Sequence, residues 1–144
     1  MSERIVFLCP HGAAKSVMAA AYCGQLADQW GVPVHATSAG TEPDAEVSPT
    51  VIALLRAEGI DVADHPPRRL APEELAAASY IIALGCDLDN LARPGMLVER
   101  WDDVPSPSQD LAGARDRIRR HVEQLLATFR HTDVPSPDRT EGAF

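Results

Sequence analysis

Residues 6–16, Val6-Phe7-Leu8-Cys9-Pro10-His11-Gly12-Ala13-Ala14-Lys15-Ser16, constrain this chain more than any other stretch. An apolar run ends in a cysteine. A turn of small residues follows, then a cation and a hydroxyl where an alanine-rich run begins. Ile5 to Leu8 is continuously apolar rather than alternating, the pattern of a strand covered on both faces, as in a parallel sheet. Pro10 and Gly12 break it. Val17 to Trp30 is rich in helix formers and stops at Gly31, and Ser16 is placed to cap that helix. This order aims the helix N-terminus, with its unused N–H groups, at whatever occupies the turn. The expected product is an oxyanion pocket, for phosphate or arsenate, with Cys9 at its floor. His11, Gly12, Ala13, Ala14, Lys15 and Ser16 would surround the anion.

The remaining chain alternates between strand and helix patterns. Val32–Ala39 reads as a second strand and Thr41–Val47 as a polar loop. Ser48-Pro49 is an N-cap and first-turn proline for a helix over Thr50–Glu58. A short helix spans 71–78, and Tyr80–Leu84 is a third buried strand. Gly85–Gly95 is a loop. Met96–Trp101 is a fourth strand whose Glu99 and Arg100 suit a sheet edge. An amphipathic helix covers Asp110–Arg130, with Leu111, Ala114, Ile118, Val122, Leu125, Leu126 and Phe129 toward one face. The expected fold is α/β: a single doubly wound domain over 1–130 with a four-stranded parallel sheet flanked by helices on both faces. Residues 131–144, rich in Pro and charge, are expected to be a disordered tail. Ligands of such sheets bind beyond the carboxyl ends of the strands, where Cys9, Ser38, Gly85 and Asp102 all fall.

Composition narrows the partners. The formal charge is −8 over 144 residues, which argues against nucleic acid and anionic membrane as partners. No stretch reaches the roughly 20 apolar residues of a membrane span, and the N-terminus lacks a secretory signal's apolar core. Three irregularly spaced cysteines, Cys9, Cys23 and Cys86, are no disulfide framework, which suits a reducing cytoplasm. The five histidines are scattered, so neither metal nor cofactor is expected.

A cysteine nucleophile works as the thiolate. Helix N-termini and neighbouring cations lower a thiol's pKa from about 8.5 into a range of roughly 3.5–7.5. Attack on phosphorus gives a thiophosphoryl-enzyme that water hydrolyses, and a positioned acid must protonate the leaving oxygen. Asp103, beside the rigid Val104-Pro105 turn, is the preferred acid and Asp102 the runner-up. His11 is placed to touch the ligand or tune the thiolate.

These residues carry a family resemblance. Cys9 to Ser16 resembles the Cys-x5-Arg-Ser/Thr loop of the low-molecular-weight protein tyrosine phosphatases, a superfamily that includes the thioredoxin-coupled arsenate reductases. Ser38-Ala39-Gly40, Glu58-Gly59-Ile60-Asp61 with His65 and Leu70, and Trp101-Asp102-Asp103-Val104-Pro105 resemble further family segments in the right order. The resemblance spans about residues 4–130. It implies that Cys9 is the nucleophile, Ser16 a hydrogen-bond partner of the thiolate, Ser38 a support for the loop and Asp103 the acid. The implied activity is hydrolysis of phosphate monoesters, with a phosphoprotein among the candidate substrates.

The departures point to alternatives. Lys15 replaces the arginine: a point charge stands where a planar fork would grip two oxygens. This opens a reading as a non-catalytic anion-binding module. Ser106, Pro107 and Ser108 stand where the phosphatases carry tyrosines, which weakens the case for an aryl substrate. The segment Leu84 to Ala92 resembles the redox region of the arsenate reductases. Gly85 and Ala92 occupy their two cysteine positions, leaving Cys86 as a redox candidate for arsenate reduction.

Overall fold

The computed structural model describes residues 3–62, 66–85 and 97–133. The chain forms β1 (Glu3–Cys9), α1 (Lys15–Trp30), β2 (Val34–Gly40), α2 (Pro49–Ala57), α3 (Pro72–Ala77), β3 (Tyr80–Ala83), β4 (Leu97–Arg100) and α4 (Leu111–Asp133). All four strands pair in parallel, in the order β2-β1-β3-β4. The order reverses at β1, so the crevice at the carboxyl end of β1 is where such a sheet accepts a ligand.

The continuous apolar run of β1 follows from its central place. Ile5, Phe7 and Cys9 face a core built with α1, α2 and α4. Val6 and Leu8 face a smaller core with Leu75 of α3. Both faces of β1 are therefore dry, and alternation disappears. The doubly wound α/β architecture expected from the sequence is the one observed. On α4, Ala114, Ile118, Val122, Leu125, Leu126 and Phe129 are all buried. β4 is an edge strand, and its Val98 is exposed.

Several boundaries differ from expectation. α1 starts at Lys15, so Ser16 lies inside the helix; the N-cap is Ala14, with no side-chain cap. Ser48 does cap α2, accepting from the Val51 N–H, with Pro49 as the first helical residue. α4 runs through Asp133, three residues beyond the expected end. Cys86, His65 and residues 134–144 lie outside the described residues.

Candidate active site

The turn between β1 and α1 is shaped by the segment that follows β2. Thr41 N–H donates to the Cys9 carbonyl (3.3 Å), Glu42 N–H to Pro10 (2.7 Å), Asp44 N–H to His11 (2.9 Å) and Ser48 N–H to Ala13 (2.9 Å). N–H and C=O point in opposite directions across a trans peptide. With the carbonyls of Pro10, His11 and Ala13 held by residues 42–48, the amides of His11, Gly12 and Ala14 point the other way, into the turn. No main-chain bond among the described residues uses the amides of residues 11–16. Successive amides gathered in this way, at the start of a 16-residue helix, form an anion-binding concavity.

Two glycines permit the close approach of turn and strand. Gly12 has φ +60°, and a Cβ on it would lie 2.9 Å from Gly40 N. A Cβ on Gly40 would lie 2.8 Å from Gly12 N. Gly40 is in register with Cys9 across β1 and β2, so contact between two main chains fixes the floor of the turn. Arg68 and Arg69 secure the same corner. Gly40 N–H donates to the Arg68 carbonyl (2.9 Å), and Arg69 Nη1 donates to the Thr41 carbonyl (2.7 Å). Arg68 is itself held by both carboxylate oxygens of Glu74.

Cys9 closes β1 with only 4% of its surface exposed, and its Sγ lies 3.0 Å from Ser16 Oγ. Ser16, at 0% exposure, is the one buried polar side chain among the described residues. A hydroxyl inside a helix and against a core requires a partner, and the thiol is that partner. When Cys9 ionises, the hydroxyl donates to the sulfur. The position expected to cap the helix thus serves the cysteine, because the helix begins two residues earlier than the sequence suggests.

Above the sulfur is a cavity of about 540 Å³ lined from the carboxyl ends of all four strands. Cys9, His11, Ala13, Ala14 and Lys15 come from the first turn. Asp44, Glu46 and Val47 follow β2, Leu84 and Gly85 follow β3, and Ser106, Pro107 and Ser108 follow β4. Lys15 reaches across the cavity mouth: a Cβ on Gly85 would lie 3.6 Å from Lys15 Nζ. The lysine is half-buried within the site rather than spread on the surface.

Two expected residues are placed elsewhere. Asp103 is bound to α4, with His121 Nε2 2.7 Å from one carboxylate oxygen and Arg117 Nη1 3.4 Å from the other. The bond to His121 is the main reason its carboxyl titrates below the ordinary range, helped by the charges of His121 and Arg117. His121 is in turn stacked on Trp101, with centroids 4.6 Å apart. Asp102 pairs with Arg100 (3.2 Å). Neither aspartate lines the cavity; the loop presents Ser106 to Ser108 instead. Ser38 does not line this cavity either. It lines a second cavity, of about 500 Å³, with Val17, Ala20 and Ala21 of α1, and Gly40 with residues 41–48 does the bracing. The contributions of Gly40 and Asp44 were missed because they act through the main chain, which leaves little side-chain signature. Among the described residues no group of three His, Cys, Asp or Glu side chains is arranged to hold a metal. No helix there is long and apolar enough to cross a membrane.

A buried thiol, held by a serine beneath a clasp of main-chain amides and flanked by one cation, defines a cysteine-dependent oxyanion enzyme on a parallel α/β sheet. The sequence model of the low molecular weight phosphotyrosine protein phosphatase family matches residues 4–135, and the chain belongs to that family. The chain is also similar to arsenate reductase 2 of Staphylococcus haemolyticus, with 27% identity over 130 residues, 85% of this chain and 95% of that protein. Among solved structures it is similar to YfkJ of Bacillus subtilis, with TM-score 0.83, 24% identity and coverage of 93% of this chain and 98% of that one. It is similar as well to a thioredoxin-dependent arsenate reductase of Corynebacterium glutamicum, with TM-score 0.80 and 24% identity. There the match covers 91% of this chain and spans 63% of the other. These structural likenesses establish the fold.

Proposed function

We propose that this chain hydrolyses phosphate monoesters through a thiophosphoryl intermediate on Cys9. The observation that carries the reading is the Cys9 Sγ–Ser16 Oγ contact of 3.0 Å at the floor of the four-loop cavity. The phosphate's non-bridging oxygens are received by the amides of the turn and by Lys15. The thiolate attacks phosphorus opposite the leaving oxygen; the S–P bond forms as the P–O bond breaks. Water then attacks phosphorus, phosphate departs and the thiolate returns, stabilised by Ser16. No Phe, Tyr or Trp lines the cavity among the described residues, so a small or alkyl phosphate fits it better than an aryl one. A phosphoprotein remains a candidate substrate through its phosphoserine or phosphothreonine.

The likeness to arsenate reductases supports a second reading, in which arsenate enters the same cavity. A second thiol, from Cys86 or a small-molecule thiol, would attack the Cys9–arsenic adduct, leaving arsenite and a Cys9 disulfide.

The test uses p-nitrophenyl phosphate and a panel of alkyl phosphates. The parent chain hydrolyses them and Cys9→Ser does not. Lys15→Arg restores the bidentate grip. One added charge-assisted bond of about 1.5–3 kcal/mol raises kcat/KM by roughly 10- to 150-fold if realised in the transition state. If neither the parent nor Lys15→Arg turns over any phosphate, while phosphate still protects Cys9 from alkylation, the hydrolase reading fails and the site is an anion receptor. Arsenate reduction with a thiol donor that is lost in Cys86→Ser marks the second reading.

A further inference from the structure

We propose that His11, oriented by Asp44, is the acid that protonates the leaving oxygen and the base that activates the hydrolytic water. The proposal rests on the phosphatase reading above and supplies the proton donor which that reading lacks once Asp102 and Asp103 are placed against other partners.

The cavity itself limits the candidates. Among the described residues, the titratable side chains lining it with Cys9 are His11 from the first turn, Lys15 from α1, and Asp44 and Glu46 from the loop after β2. The described residues after β3 and β4 that line it, Leu84, Gly85, Ser106, Pro107 and Ser108, are uncharged. Imidazole is the one side-chain type among these that ordinarily gains and loses a proton between about pH 5 and 8. Lys15 serves better charged, as an anion ligand.

His11 is also held. Its Nδ1 lies 3.2 Å from Asp44 Oδ1, and the Asp44 N–H donates to the His11 carbonyl at 2.9 Å. One residue thus holds the histidine by its main chain and faces the imidazole with its carboxylate. The next residue, Gly12, is packed against Gly40, so the backbone carrying the imidazole is pinned on both sides. With the carboxylate facing Nδ1, Nε2 is the nitrogen left to exchange a proton with substrate. Asp44 is a positioning residue.

The steps balance. In the first, Cys9 sulfur bonds to phosphorus, the P–O electron pair moves onto the leaving oxygen, and the Nε2 proton passes to that oxygen, giving an alcohol and neutral His11. In the second, water oxygen bonds to phosphorus and the P–S bond breaks to thiolate. The water proton returns to Nε2, restoring the imidazolium.

The test compares the parent chain with His11→Gln and Asp44→Asn on a series of phosphates whose leaving alcohols range from p-nitrophenol to simple alkanols. General acid catalysis typically contributes 10²- to 10⁴-fold, and an activated phenolate scarcely needs it. In kcat/KM, which reports only the steps up to release of the leaving alcohol, His11→Gln therefore loses about 100-fold or more on alkyl phosphates, loses little on p-nitrophenyl phosphate, and steepens the dependence on leaving-group pKa. Asp44→Asn removes the carboxylate that faces Nδ1, so its loss follows the same order, larger on alkyl phosphates than on p-nitrophenyl phosphate. If His11→Gln lowers kcat/KM equally for all substrates, or for none, in an active parent, the proposal is overturned while the hydrolase reading stands. A parent inert toward every phosphate overturns both.

Discussion

Replacing Gly40 with alanine isolates the contact on which the anion cradle depends. The added Cβ would lie 2.8 Å from Gly12 N, 2.9 Å from His11 C and 3.1 Å from Gly12 Cα, all main-chain atoms that cannot swing aside. Gly40 has no positive φ, so the effect is steric alone. Comfortable separations between such atoms are about 3.5–4.0 Å, so the turn must retreat by roughly 0.5–1 Å. Overpacking of this kind costs about 1–3 kcal/mol. A displacement near 1 Å at reacting groups is worth roughly 100-fold in rate. Urea unfolding of Gly40→Ala should show a lower midpoint with an unchanged slope, and kcat/KM on p-nitrophenyl phosphate should fall by one to two orders of magnitude. Gly24→Ala is the control. It sits within α1 with nothing within 4 Å of its added Cβ, and should stabilise by about 0.5–1 kcal/mol. A Gly40→Ala protein within about 0.5 kcal/mol of the parent and equally active would show that the contact between the two glycines does not hold the cradle.

Three further outcomes are expected. Ser16→Ala removes a hydrogen bond that, to a thiolate, is worth about 1.5–3 kcal/mol, so Cys9 alkylation by iodoacetamide at neutral pH slows by roughly tenfold or more. An unchanged alkylation rate would refute the role given to the hydroxyl. Asp103→Asn should leave turnover near the parent value, because this carboxylate serves α4. Its carboxyl is held below the ordinary range by His121, so the stability it lends is present above the unfolded carboxylate pKa and is lost as pH falls through the lower folded value. The stability gap between variant and parent, read by urea unfolding, should therefore close on acidification. In a Cys86→Ser background, iodoacetamide at neutral pH should label Cys9, with phosphate slowing the reaction. Cys23, fully buried and with its thiol pushed up to about 12 by burial, should label only in denaturant; labelling of Cys23 in the folded protein would contradict its placement.

The parts of the site that could be read ahead of the structure are those encoded locally. The dry run Ile5 to Leu8, the break at Pro10 and Gly12, and the Ser48-Pro49 start of α2 depend on neighbours in sequence, and each is where the pattern places it. Cys9 and Ser16 are seven residues apart but joined by a tight turn, so their pairing follows the resemblance they carry. What escaped depends on distant partners. Which side Asp103 faces is decided by Arg117 and His121, 14 and 18 residues further on, and two adjacent aspartates offer no local means of choosing. Ser38 is in register with Phe7, two positions short of the strand end that Gly40 and Cys9 share, and it lines the cavity beside α1. The clasp of residues 41–48 on the first turn is made of N–H and C=O groups that every sequence possesses.

Lysine in the cradle changes how the work of binding is divided. An arginine fork fixes two oxygens by its own plane, and so orients a tetrahedral anion as well as neutralising it. An ammonium neutralises without orienting. In this chain, orientation therefore falls to the amides of the turn, whose direction is set by carbonyls held by Glu42, Asp44 and Ser48 and by the contact of Gly12 with Gly40. Asp44 belongs to both systems: its main chain directs the peptide between His11 and Gly12, and its carboxylate holds the imidazole of His11. The same loop that aims the anion thus aims the proton. A lysine cradle can be catalytic on this scaffold because the main chain supplies the directionality that its side chain lacks.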